Sequence, residues 1–348
     1  MDVRLITSDK VEEHCADELA ELLKRQDGLI WVDIPDCDDE AVRVLTELFG
    51  FHSMAVRDCV QRNRVPKVHA YPDHLFVVLH APQRGKRGHV HYIELDQFVG
   101  PRYLVTVHGP LNPAVNPDVA LRETREVLAR IEAGRLRPAS AYELSYAIVS
   151  AMTRYHEAYV ESVTSDVWQL EQRVTAGEID DPEEFLNELF RARHGLLAVR
   201  TMGVLSGAIY GRMTNLVRIS PEGRRLIADL EDQFDRVSAV AAGEKDYLQG
   251  VIEFYQTVLA LKATLAGQAQ TDKVQRLTEA SYEQNEEIKK ISAWAAIFFA
   301  PTLIGTVYGM NFTNIPELGW AIGYPLALML MVLGSVLLFV VFRRRGWL

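Results

Sequence analysis

Cysteine is scarce in this chain of 348 residues: Cys15, Cys37 and Cys59 are the only three, and no two stand close together. That excludes a disulfide framework and a Cys-x-x-Cys motif, and it fits a reducing compartment. The signatures of catalysis are missing as well. The chain holds no Gly-x-x-x-x-Gly-Lys-Ser/Thr loop, no His-Glu-x-x-His pair and no nucleophile–base pairing. Neither an enzyme nor an organic cofactor is expected. No internal repeat of roughly 20–50 residues and no low-complexity segment is present. Met1 to Lys10 includes Asp2, Arg4 and Asp9 but no apolar run. No secretory signal is expected there, and the large domain is expected in the cytosol.

Charge is absent from two stretches near the C-terminus. Neither Ile291 to Tyr308 nor Pro325 to Phe342 contains an Asp, Glu, Lys or Arg. A bilayer core of roughly 30 Å needs about 20 apolar residues in a helix, and each stretch reaches that with its flanks. Lys289 and Lys290 precede the first, and Arg343, Arg344 and Arg345 follow the second. The loop between them carries Glu317 and no basic residue. Basic flanks stay cytoplasmic, so the expectation is a multi-pass protein of the cell membrane with both termini inside. Trp320 and Tyr324 at one interface and Trp347 near the other suit contact with membrane lipids. Of 37 basic and 47 acidic side chains, three arginines and one glutamate lie in residues 291–348. Residues 1–290 therefore hold 34 against 46, a net of −12. That balance disfavours nucleic acid as a partner and is compatible with divalent cations gathering around the domain.

The fold class expected is α+β. Residues 1–117 read as a cytosolic α/β domain, with strands at Val3–Thr7, Leu29–Ile34, Leu75–Ala81, Val90–Val99 and Tyr103–His108. Helical periodicity covers about 10–25, 40–50 and 52–63. Residues 118–242 read as a helical region. Asp181-Pro182-Glu183-Glu184 and Ser220-Pro221-Glu222 each set a capping side chain before a first-turn proline. Residues 243–308 read as a long stalk helix that continues into the first span, about 291–308. A loop follows at 309–324, the second span at 325–342 and a basic tail at 343–348. A helix of that length, about 100 Å at ~1.5 Å per residue, cannot bury its faces in one small domain. A bundle of neighbouring copies is the natural reading.

The spans hold no carboxylate, histidine or cysteine. Oxygen donors on the first are the hydroxyls of Ser292, Thr302, Thr306 and Tyr308, the Asn311 amide, and carbonyls near Gly305 and Gly309. Two helices cannot enclose a pore, but several copies around an axis would turn each oxygen into a ring. Positions at alternating three and four spacing form a narrow stripe: Asn285, Ile288, Ser292 (or Ile291), Ala295, Phe299, Thr302, Thr306, Gly309. Spacing alone fits a packing seam of a helical oligomer as well as it fits a pore.

Tyr308-Gly309-Met310-Asn311-Phe312, then Pro316-Glu317-Leu318, Trp320, Gly323-Tyr324-Pro325 and the final Arg343-Arg344-Arg345-Gly346-Trp347-Leu348 resemble the CorA family of magnesium channels. A looser likeness takes in Val65-Pro66-Lys67-Val68 and Asp73-His74-Leu75-Phe76-Val77-Val78-Leu79. The resemblance implies a funnel-shaped homopentamer whose long helix and first span line the pore. It implies that Gly309, Met310 and Asn311 recruit the ion at the outer mouth. Asn285, Ile288, Ile291, Phe299 and Thr302 fall on its pore positions, with Ile288 and Ile291 as the hydrophobic constriction. The ion implied is Mg2+, with Co2+ and Ni2+ as further candidates, entering down its gradient. Cytosolic Mg2+ would act as gating ligand at acidic residues between protomers. Gly250 stands where the long helix of some members has an aspartate, so the candidates are Glu244, Asp246 and Glu253. A zinc transporter of the same superfamily is the alternative, against which Met310 argues. A membrane-anchored scaffold without transport is the other, against which the polar rungs argue.

Other features have plainer readings. His89 and His91 alternate on one strand with no third ligand in view. Asp36, Asp38, Asp39 and Glu40 precede a helix, where acid favours the dipole. Trp168 is expected in helix packing.

Overall fold

The computed structural model describes residues 1–110, 112–216, 219–311 and 316–348. Phe312 of the turn motif lies outside the described residues. Contacts divide the chain into two units, Met1–Gln256 and Thr257–Leu348.

The first unit is built on a sheet ordered β2-β1-β3-β7-β6-β5-β4. Its strands are β1 (Asp2–Ile6), β2 (Val11–His14), β3 (Leu29–Ile34), β4 (Lys67–Ala70), β5 (Leu75–Arg84), β6 (Val90–Val99) and β7 (Tyr103–His108). Only β3 and β7 pair in parallel. All six residues of β3 are buried, as a strand covered on both faces requires. Leu29 and Trp31 enter one core while Ile30, Val32 and Ile34 enter the other, the two-residue alternation of a pleat. Asp33 is the exception in that apolar run. Burial alone would raise its carboxyl, but His108, hydrogen-bonded through Nε2 at 2.9 Å, holds it below the ordinary value with help from Thr106 and Thr124. Thr106 donates its hydroxyl hydrogen to Asp33 and accepts the Trp31 indole N–H at 3.1 Å.

One face carries α1 (Leu19–Leu22), α2 (Asp39–Arg43) and α3 (Ser53–Val60). Helical periodicity over 10–25 is corrected here, because Val11–His14 form β2, paired antiparallel to β1. The Thr7 N–H donates to the Lys10 carbonyl at 2.9 Å and the Thr7 hydroxyl accepts from the Lys10 N–H. This turn folds the following residues back onto an open strand edge, and Glu12 and Glu13 suit an edge exposed to water. Asp38 caps α2 by accepting from the Ala41 N–H at 2.8 Å.

The other face carries α4 (Pro117–Ala120), α5 (Arg122–Glu132), α6 (Ala141–Ala176), α7 (Pro182–Thr214) and the start of α8 (Pro221–Tyr308). Asp181 accepts from the Glu183 and Glu184 N–H groups at 2.9 and 3.1 Å, ahead of Pro182. Ser220 does the same for Gly223 at 3.1 Å. Gly203 permits α7 and α8 to touch, since a Cβ there would lie 3.0 Å from Ser238 Cβ and 3.1 Å from the Phe234 carbonyl. Gly243, expected as the start of the stalk, is interior to α8, which runs unbroken from Pro221. Trp168 is 59% exposed, while Val167 and Leu170 are buried. It does not pack in the core of this chain: one residue from Val167 is a 100° turn, which points it away from that core.

In the second unit, the end of α8 and α9 (Gly323–Arg344) are each long and apolar enough to cross a membrane.

Candidate functional site

α9 covers one side of α8 and leaves the other bare. Ala293 and Ile297 of α8 are 0% and 7% exposed, whereas Ile288, Ile291 and Phe299 are 50%, 69% and 63% exposed. Asn285, Ser292, Ala295, Thr302, Thr306 and Gly309 are exposed too. At 100° per residue these positions gather on the side of the helix opposite Ala293 and Ile297. The structure thus brings the stripe read from the sequence onto one continuous uncovered face. Trp294 lies against Phe339 with ring centroids 6.4 Å apart. Ser335, on α9, directs its hydroxyl to the Ile297 carbonyl at 3.4 Å.

The hydroxyls on the bare face are oriented by their own helix. Thr302 donates to the Phe298 carbonyl at 2.9 Å and Thr306 donates to the Thr302 carbonyl at 2.7 Å. With the hydrogen engaged, each oxygen presents only lone pairs outward. Water in the shell of a cation donates hydrogen bonds, so these rungs match a hydrated cation. The helix ends where the Gly309 N–H donates to the Gly305 carbonyl at 2.9 Å and the Met310 N–H to the Val307 carbonyl at 3.3 Å. Met310 and Asn311 follow, both exposed.

The acidic candidates lie on the same long helix, in the first unit. Asp246 is paired with Lys245 at 2.6 Å and Glu253 accepts from the Gln249 amide at 3.0 Å. Asp246 and Glu253 share a face, but seven residues at ~1.5 Å each hold them about 10 Å apart. Glu244 is half-buried near Tyr247, whose hydroxyl donates to Glu171. The three are not brought together within one chain. Among the described residues no group of three or more His, Cys, Asp or Glu could hold a metal ion. His91 meets Asn112 at 3.3 Å through Nδ1. Lys289 is tied to Glu286 at 2.6 Å, and Arg343 lies 6.0 Å from the Phe339 ring centre.

Two groups escaped sequence reasoning. Asp96 is fully buried on the α3 side of the sheet, and burial together with the Glu94 charge pushes its carboxyl well above the ordinary value. Ser335 is the other. It is the only side chain from Pro325 to Phe342 that can donate a hydrogen bond, and a lone donor in an apolar span was the signal available.

Two membrane-length apolar helices, one with a bare face of hydroxyl oxygens and apolar side chains, fit a membrane transport protein. The chain belongs to the CorA-like Mg2+ transporter protein family, which residues 26–344 match. It is a divalent-cation transporter of that type and not an enzyme. It is 24% identical over 324 residues, 91% of this chain and 83% of the other, to the cobalt/magnesium transport protein CorA of Thermotoga maritima. Over 68 residues, 20% of this chain and 22% of the other, it is 50% identical to the magnesium transport protein CorA of Pasteurella multocida. Its fold is that of the CorA magnesium transporter from Methanocaldococcus jannaschii, with a TM-score of 0.62 at 18% identity over 100% of this chain and 99% of that one.

Proposed function

We propose that this protein is a passive channel for Mg2+ that also admits Co2+ and Ni2+, formed by five copies around an axis lined by the bare face of α8. The observation that carries the reading is that face: apolar at Ile288, Ile291 and Phe299, and lone-pair-bearing at Thr302 and Thr306. Gly309, Met310 and Asn311 form the outer mouth. Mg2+ gives up its water reluctantly, and a ring of Asn311 amides can hydrogen-bond that shell without stripping it. An inside-negative potential favours entry of a divalent ion by about 4.6 kcal/mol per 100 mV. Both termini face the cytoplasm, in keeping with the basic flanks at Lys289–Lys290 and Arg343–Arg345.

Rings of Ile288 and Ile291 make an apolar collar that dewets and stops a hydrated ion. Cytosolic Mg2+ bound between protomers, at Glu244, Asp246 and Glu253, screens carboxylate repulsion and holds the collar closed. Such gating requires higher affinity for the closed arrangement, since equal affinity shifts nothing. The test is uptake of Mg2+, Co2+ and Zn2+ by the purified protein in liposomes at controlled voltage. Voltage-driven Mg2+ uptake supports the reading. Uptake of Zn2+ alone, uptake that follows a proton gradient, or no uptake overturns it.

A further inference from the structure

Pro301 stands inside α8, within its apolar span. Proline has no N–H, so the carbonyl four residues back, that of Ile297, loses its helical partner. In hydrocarbon there is no water to replace it, and an unsatisfied carbonyl there is costly. Ile297 is also the residue α9 covers most closely after Ala293, at 7% exposure. Against that carbonyl lies Ser335 Oγ, at 3.4 Å. The one hydrogen-bond donor among the side chains from Pro325 to Phe342 therefore meets the one carbonyl in the first span that a proline has freed.

Pro301 also precedes Thr302, the first hydroxyl rung of the bare face, and a proline inside a helix is where the axis bends. The angle at this point decides where Thr302, Thr306 and Gly309 sit relative to Ile288 and Ile291. We infer that Ser335 is a positioning residue of the transport path: its hydroxyl holds the Ile297 carbonyl freed by Pro301 and so fixes the bend of the pore-lining span against the second span. The effect on transport rests on the proposed channel, whereas the contact does not.

The test uses the full-length protein in liposomes, with melting in detergent read in parallel. Ser335→Ala is expected to lower maximal Mg2+ flux about threefold, the factor that an average interhelical hydrogen bond in a membrane is worth. The half-saturating Mg2+ concentration should stay unchanged, because Asn311 is untouched. Ser335→Thr should restore flux and melting temperature, while Ser335→Val, of the same shape without the hydroxyl, should not. In a Pro301→Ala background the helix supplies its own N–H to Ile297, and Ser335→Ala should then change nothing further. Equal behaviour of the Thr and Val variants, or the same loss with and without Pro301, overturns the inference. If the wild type carries no cation, the channel reading fails, and the melting comparison of the Thr and Val variants still decides the contact.

Discussion

Replacing Gly309 by alanine tests the outer mouth with one carbon atom. An added Cβ would lie 3.1 Å from the Gly305 carbonyl oxygen and 3.7 Å from that of Thr306. The first contact is too short, and relieving it requires the Gly305 oxygen to retreat by about 0.3 Å. That oxygen accepts the Gly309 N–H at 2.9 Å, so the bond stretches to about 3.2 Å, the outer edge of the normal range. The cost is of order 1 kcal/mol. It is offset by a similar gain, since alanine loses less backbone entropy than glycine on ordering. Assembly and melting temperature should therefore stay near wild type. Transport has no such compensation, because the displacement falls on the backbone that presents Met310 and Asn311. A strain of about 1 kcal/mol carried into the transport barrier slows flux about fivefold. The assay is Mg2+-dependent fluorescence in liposomes, with Gly334→Ala as control, since a Cβ there meets nothing within 4 Å. Wild-type flux from Gly309→Ala, or a matching loss in the control, would refute the reasoning.

Asn311→Ala should abolish Mg2+ uptake while membrane insertion persists; transport at the wild-type rate would remove Asn311 from the mouth. Asp246→Asn combined with Glu253→Gln should raise the internal Mg2+ needed for half-inhibition about fivefold or more without altering maximal flux, and an unchanged value would place the sensor elsewhere. Stability should fall with acid. His156 is fully buried, its Nδ1–H given to the Met152 carbonyl at 2.9 Å, and burial pushes its pKa down to about 4. Between about 6.5 and 4 the unfolded chain binds a proton that the folded chain refuses, so stability is lost as pH falls through that window. At pH 5 the loss from this group is about 2 kcal/mol. Urea melts at pH 7 and pH 5 should show it, and an equal fall in His156→Gln would acquit the histidine.

Local chemistry is what made parts of this molecule legible. The spans were visible because a bilayer excludes charge over a whole helix, and Asp181-Pro182 and Ser220-Pro221 because a cap needs only its next three residues. The bare face of α8 could be drawn from spacing, although spacing could not say which side α9 would cover. β2 was missed because the turn at Thr7 and Lys10 sets it, not its own periodicity. The strand at Val90–Val99 was legible, but the burial of Glu94 and Asp96 within it was not, because elements distant in sequence set it. Ser335 acquires its meaning from Ile297, 38 residues away, and no local pattern encodes such a meeting.

The hydroxyl hydrogens of Thr302 and Thr306 are already committed to their own backbone. An anion approaching those rungs would find lone pairs facing it and no proton offered. In the proposed channel, such a path would disfavour chloride without needing a charge at these rungs. Screening weakens fields between charges but cannot return a donor that is already spent. Rejection of anions at these rungs should therefore be insensitive to ionic strength, where a charged ring would lose its discrimination as salt rises.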